Sequence, residues 1–267
     1  MAKTRDRNRT PRAPVAPLNR SAQSNVVSSH DQIVRTLGEE IIGGVHAPGA
    51  NLPPEPVLLQ RFGVSRTVLR EVLKTLTAKG LIVAKTRIGT RVLDPLNWNY
   101  FDPDVLAWKV NLGMDQAFRA NLAEIRRALE PAAAALAAKR RTKPDIARLR
   151  AAIAAMRLET TPRGFAEADL VFHLAVGAAS GNPMMRSVAA VIEAALIQAF
   201  QLSPPVRTPA LQKETVDAHA AIVDAIEARN GDAAAKAMLA VIDSGVDRIE
   251  RERRGEPRGR KAKPGAG

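Results

Sequence analysis

The chain of 267 residues has no cysteine, few aromatics and no long apolar run. The absence of cysteine excludes disulfides and thiolate metal sites. Aromatics make up 3% of the chain, while alanine and leucine dominate its second half, a balance that favours helix over sheet. No stretch of eighteen apolar residues is present, which excludes an ordinary transmembrane helix. The N-terminus carries Arg and Pro but no apolar segment of the secretory kind. The expectation is a soluble cytoplasmic protein. Hydrophobic residues at 46% argue for a folded chain, and its length suffices for two domains, each with a sizeable core.

What is abundant is positive charge, and it is unevenly placed. Of the net +13, residues 1–20 hold six Lys/Arg against one acid, and residues 255–267 hold four against one. Both ends are rich in Arg, Pro and Gly. They read as disordered basic tails, over 1–27 and 255–267. Two readings of the tails stand open: solubility, or non-specific and salt-sensitive attraction to phosphate.

Helical periodicity begins at "SSHDQIVRTLGEEIIGG", where Ser29 with Gln32 fits a capping box and Gly43-Gly44 a stop. "HAPGANLPPEP" is a turn, followed by a second helix over about 54–62 that Gly63 breaks. Then comes "VSRTVLREVLKTLTAKGL". Val68, Leu69, Val72, Leu73 and Leu76 recur at three- and four-residue spacing, while Arg66, Arg70 and Lys74 recur every four on another face. Ser65 stands at the N-cap and Gly80 at the C-terminal stop. Helix, short Gly-containing turn, helix is the helix-turn-helix pattern. Two short apolar runs, 81–84 and 91–93, flank a tip with Arg87 and Gly89 and read as a small β-hairpin, a wing.

A helix with one apolar and one cationic side faces either water or an anion, and in a helix-turn-helix the anion is duplex DNA. Arginine matches guanine O6 and N7, and the first residues of the second helix face base edges. That singles out Ser65, Arg66, Thr67, Arg70 and Lys74 on the helix. Lys85, Arg87, Gly89 and Thr90 of the wing are placed for the neighbouring minor groove or backbone.

The stretch from Pro48 to Val92 resembles the winged-helix domain of GntR-type transcription regulators. The resemblance is carried by Pro48-Gly49, Leu52-Pro53-x-Glu55, Phe62-Gly63-Val64-Ser65-Arg66-Thr67, Arg70-Glu71, Gly80-Leu81 and Gly89-x-x-Val92. One departure stands out: relatives often carry a DNA-contacting Arg after the Glu of the Leu-Pro-x-Glu turn, and here that position is Pro56. Residues 96–114, "LNWNYFDPDVLAWKV" and onward, hold both tryptophans and the only tyrosine. They read as a structured linker with a short helix, and they resemble the linker of members that answer to sugar acids.

From Asp115 almost to residue 253 the pattern is helical, with breaks at Thr142–Pro144, Thr160–Gly164, Gly181–Pro183, Ser203–Pro209 and Asn230–Gly231. About six helices packed antiparallel give an all-α bundle. "EIRRALEPAAAALAA", "ADLVFHLAVGAASGNP" and "DAHAAIVDAIEARNGDAAAKAM" resemble the FCD effector domain of the FadR-like branch of the same family. The expected architecture is therefore mainly α: a winged helix-turn-helix over 28–95, a linker over 96–114 and a helical effector-binding and dimerisation domain over 115–254.

Asp169 and His173 are four apart and share a helix face, and His219 lies on a later helix among apolar residues. One carboxylate and two imidazoles converging in a bundle suit a divalent metal of the Zn, Ni or Mn class. On spacing alone the same residues read first as a hydrogen-bonded pair and a satisfied core histidine. The resemblance implies metal, since many relatives use an Asp and three histidines at these places. The last histidine is absent, its position being Val241. Asn182 reads as a helix cap. Arg126, in Glu124-x-Arg126-x-x-x-Glu130, is where relatives meet an acidic effector, and a guanidinium fork suits a small carboxylate. The alternatives are a surface ion pair between Arg126 and Glu130, or Arg127 in its place.

The expected function is a ligand-responsive transcription regulator, not an enzyme: a repressor acting as a homodimer on an inverted-repeat operator in double-stranded DNA and released by a sugar acid or hydroxy acid. The rival reading is an architectural DNA binder without an effector.

Overall fold

The structure of the protein is a computed structural model that describes residues 28–85, 88–188, 191–194, 196 and 203–254. Both basic tails and Arg87 lie outside the described residues. The N-terminal part begins with α1 (Ser29–Ile42), α2 (Glu55–Phe62) and α3 (Arg66–Ala78), followed by strands β1 (Ile82–Lys85) and β2 (Gly89–Val92). The hydroxyl that caps α1 belongs to Ser28, which accepts from the Asp31 backbone N–H, so the cap stands one residue before the Ser29 expected from the sequence. Two adjacent serines offer the same chemistry, and only the backbone geometry chooses between them.

Helix α2 closes on Gly63, whose φ of +62° is the left-handed conformation that glycine adopts without steric cost. Only Val64 then stands before Ser65, which caps α3 by accepting from Val68 N–H. Leu69, Val72 and Leu76 of α3 are buried against Leu37 and Ile41 of α1 and Ile82 and Val92 of the hairpin. The strands pair antiparallel from Ile82 with Val92 to Lys85 with Gly89.

The segment after the hairpin returns to this core. Trp98 is buried in it and donates from its indole N–H to the Leu93 carbonyl. Helix α4 (Pro103–Asn111) is capped by Asp102, which accepts from the N–H groups of Asp104 and Val105. Its Val105 and Trp108 enter the winged-helix core, whereas its Leu106 and Val110 join Met114, Leu122, Val191 and Ala194 in a separate cluster. The buried Lys79 ammonium donates to both Asp102 and Asp104 at 2.8 Å, so the end of α3 is tied to the start of α4. Tyr100 meets Phe118 with ring centroids 5.1 Å apart.

The C-terminal part holds α5 (Gln116–Arg140), α6 (Lys143–Leu158), α7 (Pro162–Ala179), the one-turn α8 (Pro183–Arg186), a helical stretch at 191–194, α9 (Pro209–Glu227) and α10 (Gly231–Arg254). Caps sit where the sequence breaks: Asp115, Thr142, Thr161, Asn182 and Thr208 each accept from a backbone N–H of the helix they start. The core is built from Leu149 and Met156 of α6, Phe165 and Phe172 of α7, Ile222 of α9 and Met238 of α10. Alanines of α5, among them Ala134, Ala137 and Ala138, are fully buried. Their small side chains let α10 run closely along α5. The fold is thus mainly α, a winged helix-turn-helix followed by a helical bundle. No helix among the described residues is long and apolar enough to cross a membrane.

Candidate functional site

Two sets of side chains stand out, one on each part of the chain. The first lies on α3 and the hairpin. Ser65, Arg66, Thr67, Arg70, Lys74, Lys85 and Gly89 are exposed and Thr90 is half-buried. Their opposite face fills the winged-helix core, so the cations cannot turn inward without dismantling it. Arg66 Nε stands 3.6 Å from Glu55 Oε1 across the turn, and Lys74 donates to Glu71 at 2.8 Å. Arg70 has no ion-pair partner among the described residues. Arg91 of β2 is engaged elsewhere, donating from Nε to the Gly49 carbonyl at 2.8 Å.

The second set lies inside the bundle. Asp169 and His173 of α7 meet His219 of α9, and one ligand atom from each lies within 4.8 Å of the others. His219 Nε2 is 2.8 Å from Asp169 Oδ1, and His173 Nε2 is 3.8 Å from Asp169 Oδ2. The far side of each ring faces an acceptor. His219 Nδ1 lies 2.7 Å from the Thr215 carbonyl, which only accepts, so Nδ1 carries the proton and Nε2 the lone pair. His173 Nδ1 lies 2.5 Å from Glu130 Oε2. Both Nε2 atoms face the Asp169 carboxylate.

Such an arrangement leaves polar atoms without partners. Asp169 Oδ1, His173 Nε2 and His219 Nε2 are buried and make no hydrogen bond of acceptable geometry, even where the separation is only 2.8 Å. His173 Nδ1 is likewise off the line of a straight bond to Glu130. Buried acceptors facing one another are costly, by about 1–3 kcal/mol for each unsatisfied group. A cation between them removes that cost, and imidazole nitrogens with a carboxylate oxygen are borderline donors suited to a divalent ion. The residues present fit a metal. Val241, at the position of the absent histidine, is half-buried and packs against the apolar core instead.

Arg126 and Glu130 of α5 complete the cluster. Arg126 Nε donates to Glu130 Oε1 at 2.5 Å and Nη2 reaches Oε2 at 3.4 Å. The pair is not on the surface: Arg126 is 9% and Glu130 5% exposed. Arg127 instead pairs at 2.7 Å with Asp243 on the half-exposed side of the helix. Burial pushes the Glu130 carboxyl up, but the Arg126 charge and His173 outweigh it and hold it lowered, to about 2. Burial likewise raises Asp169, and His219, His173 and Arg126 together bring it below its ordinary value. A small cavity abuts the cluster, lined by Glu130 and His173 and by apolar side chains such as Leu129, Val176, Met185 and Met238.

Sequence reasoning gave Glu130 no role beyond partnering Arg126, and it did not find the Thr215 carbonyl. The signal for Glu130 was there. Leu122, Arg126, Glu130, Ala133 and Ala137 form one stripe of α5, and two charges inside a stripe of core positions mark a buried pair. Nothing in the sequence marks a backbone carbonyl as an acceptor.

Comparison with known proteins agrees with both halves. Residues 29–92 match the bacterial regulatory proteins of the gntR family, and residues 121–244 match the FCD domain. The galactonate operon transcriptional repressor of Escherichia coli K12 is 36% identical over 221 residues, covering 82% of this chain and 96% of that protein. The putative L-lactate dehydrogenase operon regulatory protein of the same organism is 30% identical over 225 residues, covering 77% and 83%. A solved structure of the Listeria monocytogenes regulator Lar superposes with a TM-score of 0.58 at 20% identity, over 83% of this chain and 96% of that one, a likeness of fold. The chain belongs to the GntR family, in the branch that carries a C-terminal FCD domain, and is a transcriptional regulator rather than an enzyme.

Proposed function

We propose that the chain is a repressor that leaves its operator when a small organic acid, a sugar acid or hydroxy acid, enters the bundle. The observation that carries this reading is the joining of an exposed cationic recognition helix to a buried cluster of Asp169, His173, His219, Arg126 and Glu130. Ser65, Arg66, Thr67, Arg70 and Lys74 read the major groove, with the exposed Arg66 guanidinium free to exchange its 3.6 Å contact with Glu55 for guanine. Lys85, Arg87, Gly89 and Thr90 follow the neighbouring backbone. A homodimer in the cytoplasm presents two such units to an inverted repeat, since a two-fold protein matches a two-fold site.

In the bundle, Asp169, His173 and His219 hold a divalent cation of the Zn, Ni or Mn class, which when bound supplies coordination positions for oxygen donors of the effector. Arg126 receives the effector carboxylate. Its guanidinium is already paired with Glu130, so an acid gains Arg126 only by competing with that internal carboxylate. This favours a small, strongly acidic ligand over a neutral one, and the names of the two relatives, galactonate and lactate, fit that class. Coupling follows if the effector binds one arrangement of the two wings more tightly than the other.

The test is operator isolation from genomic DNA followed by titration with sugar acids and hydroxy acids, with and without chelator. One acid should release the operator and raise the melting temperature of the metal-loaded protein. Equal affinity for operator and random duplex, unmoved by any acid, would identify an architectural DNA binder and overturn the reading.

A further inference from the structure

We infer that Glu130 is a positioning residue for the metal site: it stands behind His173, fixes the proton of that ring on Nδ1, and thereby aims the Nε2 lone pair at the position shared with Asp169 and His219. The inference rests on the metal reading above and goes beyond it, because Glu130 is not among the three donors.

Glu130 lies on the far side of the His173 ring from Asp169. Its Oε2 is 2.5 Å from Nδ1, a charge contact off the line of a straight hydrogen bond, while the nitrogen that faces Asp169 is Nε2. Glu130 therefore does not replace the histidine absent at Val241 as a fourth donor. Its other oxygen accepts from Arg126 at 2.5 Å. A carboxylate locked to a guanidinium, which only donates, keeps acceptor character on both oxygens. An imidazole beside such an acceptor carries its proton on the nitrogen that faces it.

The same device appears on the other ring in neutral form. The Thr215 carbonyl, 2.7 Å from His219 Nδ1, assigns that proton in the same sense. Two histidines on different helices thus have Nδ1 turned to an acceptor and Nε2 turned to one carboxylate. Chance burial of two histidines has no reason to give both rings the same sense, whereas cation binding needs it. Outer-shell carboxylates of this kind fix the tautomer, raise ligand basicity and change metal affinity about 10–100-fold when lost.

The arrangement also makes Glu130 touch both the proposed effector cation and a proposed metal donor. An acid that draws Arg126 away from Glu130 leaves the carboxylate free to lean more strongly on His173. Metal and effector are then linked through a single side chain, and each should tighten the other.

The experiment uses the full chain stripped with chelator. In wild type, long-range proton–nitrogen NMR spectra at pH 8 with labelled histidine should show His173 with a protonated Nδ1 and a bare Nε2. Zinc alone is then titrated by competition with a fluorescent chelator. R126M/E130L removes both buried charges at nearly constant volume, so neither partner is left unpaired. It should bind zinc about 10–100-fold more weakly than wild type and shift His173 toward the other tautomer. E130Q, which keeps an acceptor but no charge, should fall between. Unchanged zinc affinity in R126M/E130L, or a wild-type His173 protonated on Nε2, overturns the inference while leaving the metal reading intact. A wild type that takes no zinc overturns both, and does so before any variant is made. Should the double variant fail to fold, the wild-type tautomer decides alone.

Discussion

Gly38 of α1 and Trp108 of α4 are in such close contact that a methyl group at Gly38 would stand 2.3 Å from Cζ3 of the indole. Helix propensity alone favours alanine there by about 1 kcal/mol. The contact opposes it, because the methyl meets a flat ring held between the two helices, and overpacking of that kind costs about 1–3 kcal/mol. G38A should therefore lower the urea midpoint. A midpoint that rises would mean that the indole yields freely.

Arg66 and Lys74 should separate when each is replaced by alanine. R66A is expected to cost about 1–3 kcal/mol on the operator and to relax base preference. Lys74 is shared with Glu71, so K74A should cost less, act equally on operator and random duplex, and lower the salt dependence by about one charge. Fluorescence anisotropy on both duplexes at three salt concentrations decides it. Equal losses for R66A on both would remove Arg66 from base reading.

Lys79 joins the winged helix to α4 through Asp102 and Asp104. Burial lowers its pKa, but the two carboxylates outweigh burial and the net direction is up. A raised pKa means that the pair contributes its full stability below the ordinary lysine value and loses it as pH rises through the folded value. K79M should lower stability near neutrality by about 1–3 kcal/mol, less than for an enclosed pair because Asp104 remains largely in water. On the alkaline side its deficit against wild type should shrink only above about pH 10.5. A deficit that already shrinks between neutrality and about pH 9 would contradict the assignment.

V241H would restore the histidine that the bundle lacks. If three donors hold the metal, a fourth should tighten it, and chelator should lower the melting temperature more in V241H than in wild type. Saturating ligand at a hundred times its dissociation constant is worth about 2.7 kcal/mol of stability. An identical chelator response would place Val241 away from the site.

Much of this architecture was legible in the sequence because the winged helix is specified by local chemistry. Gly63 ends α2, Ser65 caps α3, and the three-and-four spacing of Leu69, Val72 and Leu76 selects the buried face. The cap of α1 slipped by one residue because Ser28 and Ser29 are chemically alike. Within the bundle, Asp169, His173 and His219 were found by residue type and spacing, and the structure brings them together. Arg126 was also singled out, yet its burial was not foreseen, since an Arg and a Glu four apart usually form a surface pair. Only the packing of other helices over α5 encloses them, with His173 and Val176 of α7 and Met238 of α10 brought beside Glu130 from far along the chain. The Thr215 carbonyl was beyond reach for a similar reason: backbone acceptors become visible only when a ring is seen pointing at them.

Helix α4 gives Val105 and Trp108 to one core and Leu106 and Val110 to another. A stretch of nine residues that belongs to two interiors leaves no slack for a loose tether. Repacking on the Leu106 side must either stall or turn the whole recognition unit as a lever turns about its fulcrum. In the homodimer proposed above, the spacing between two wings would be geared to the state of the bundle, and mutations that loosen the joint should uncouple sensing from release while leaving each intact on its own.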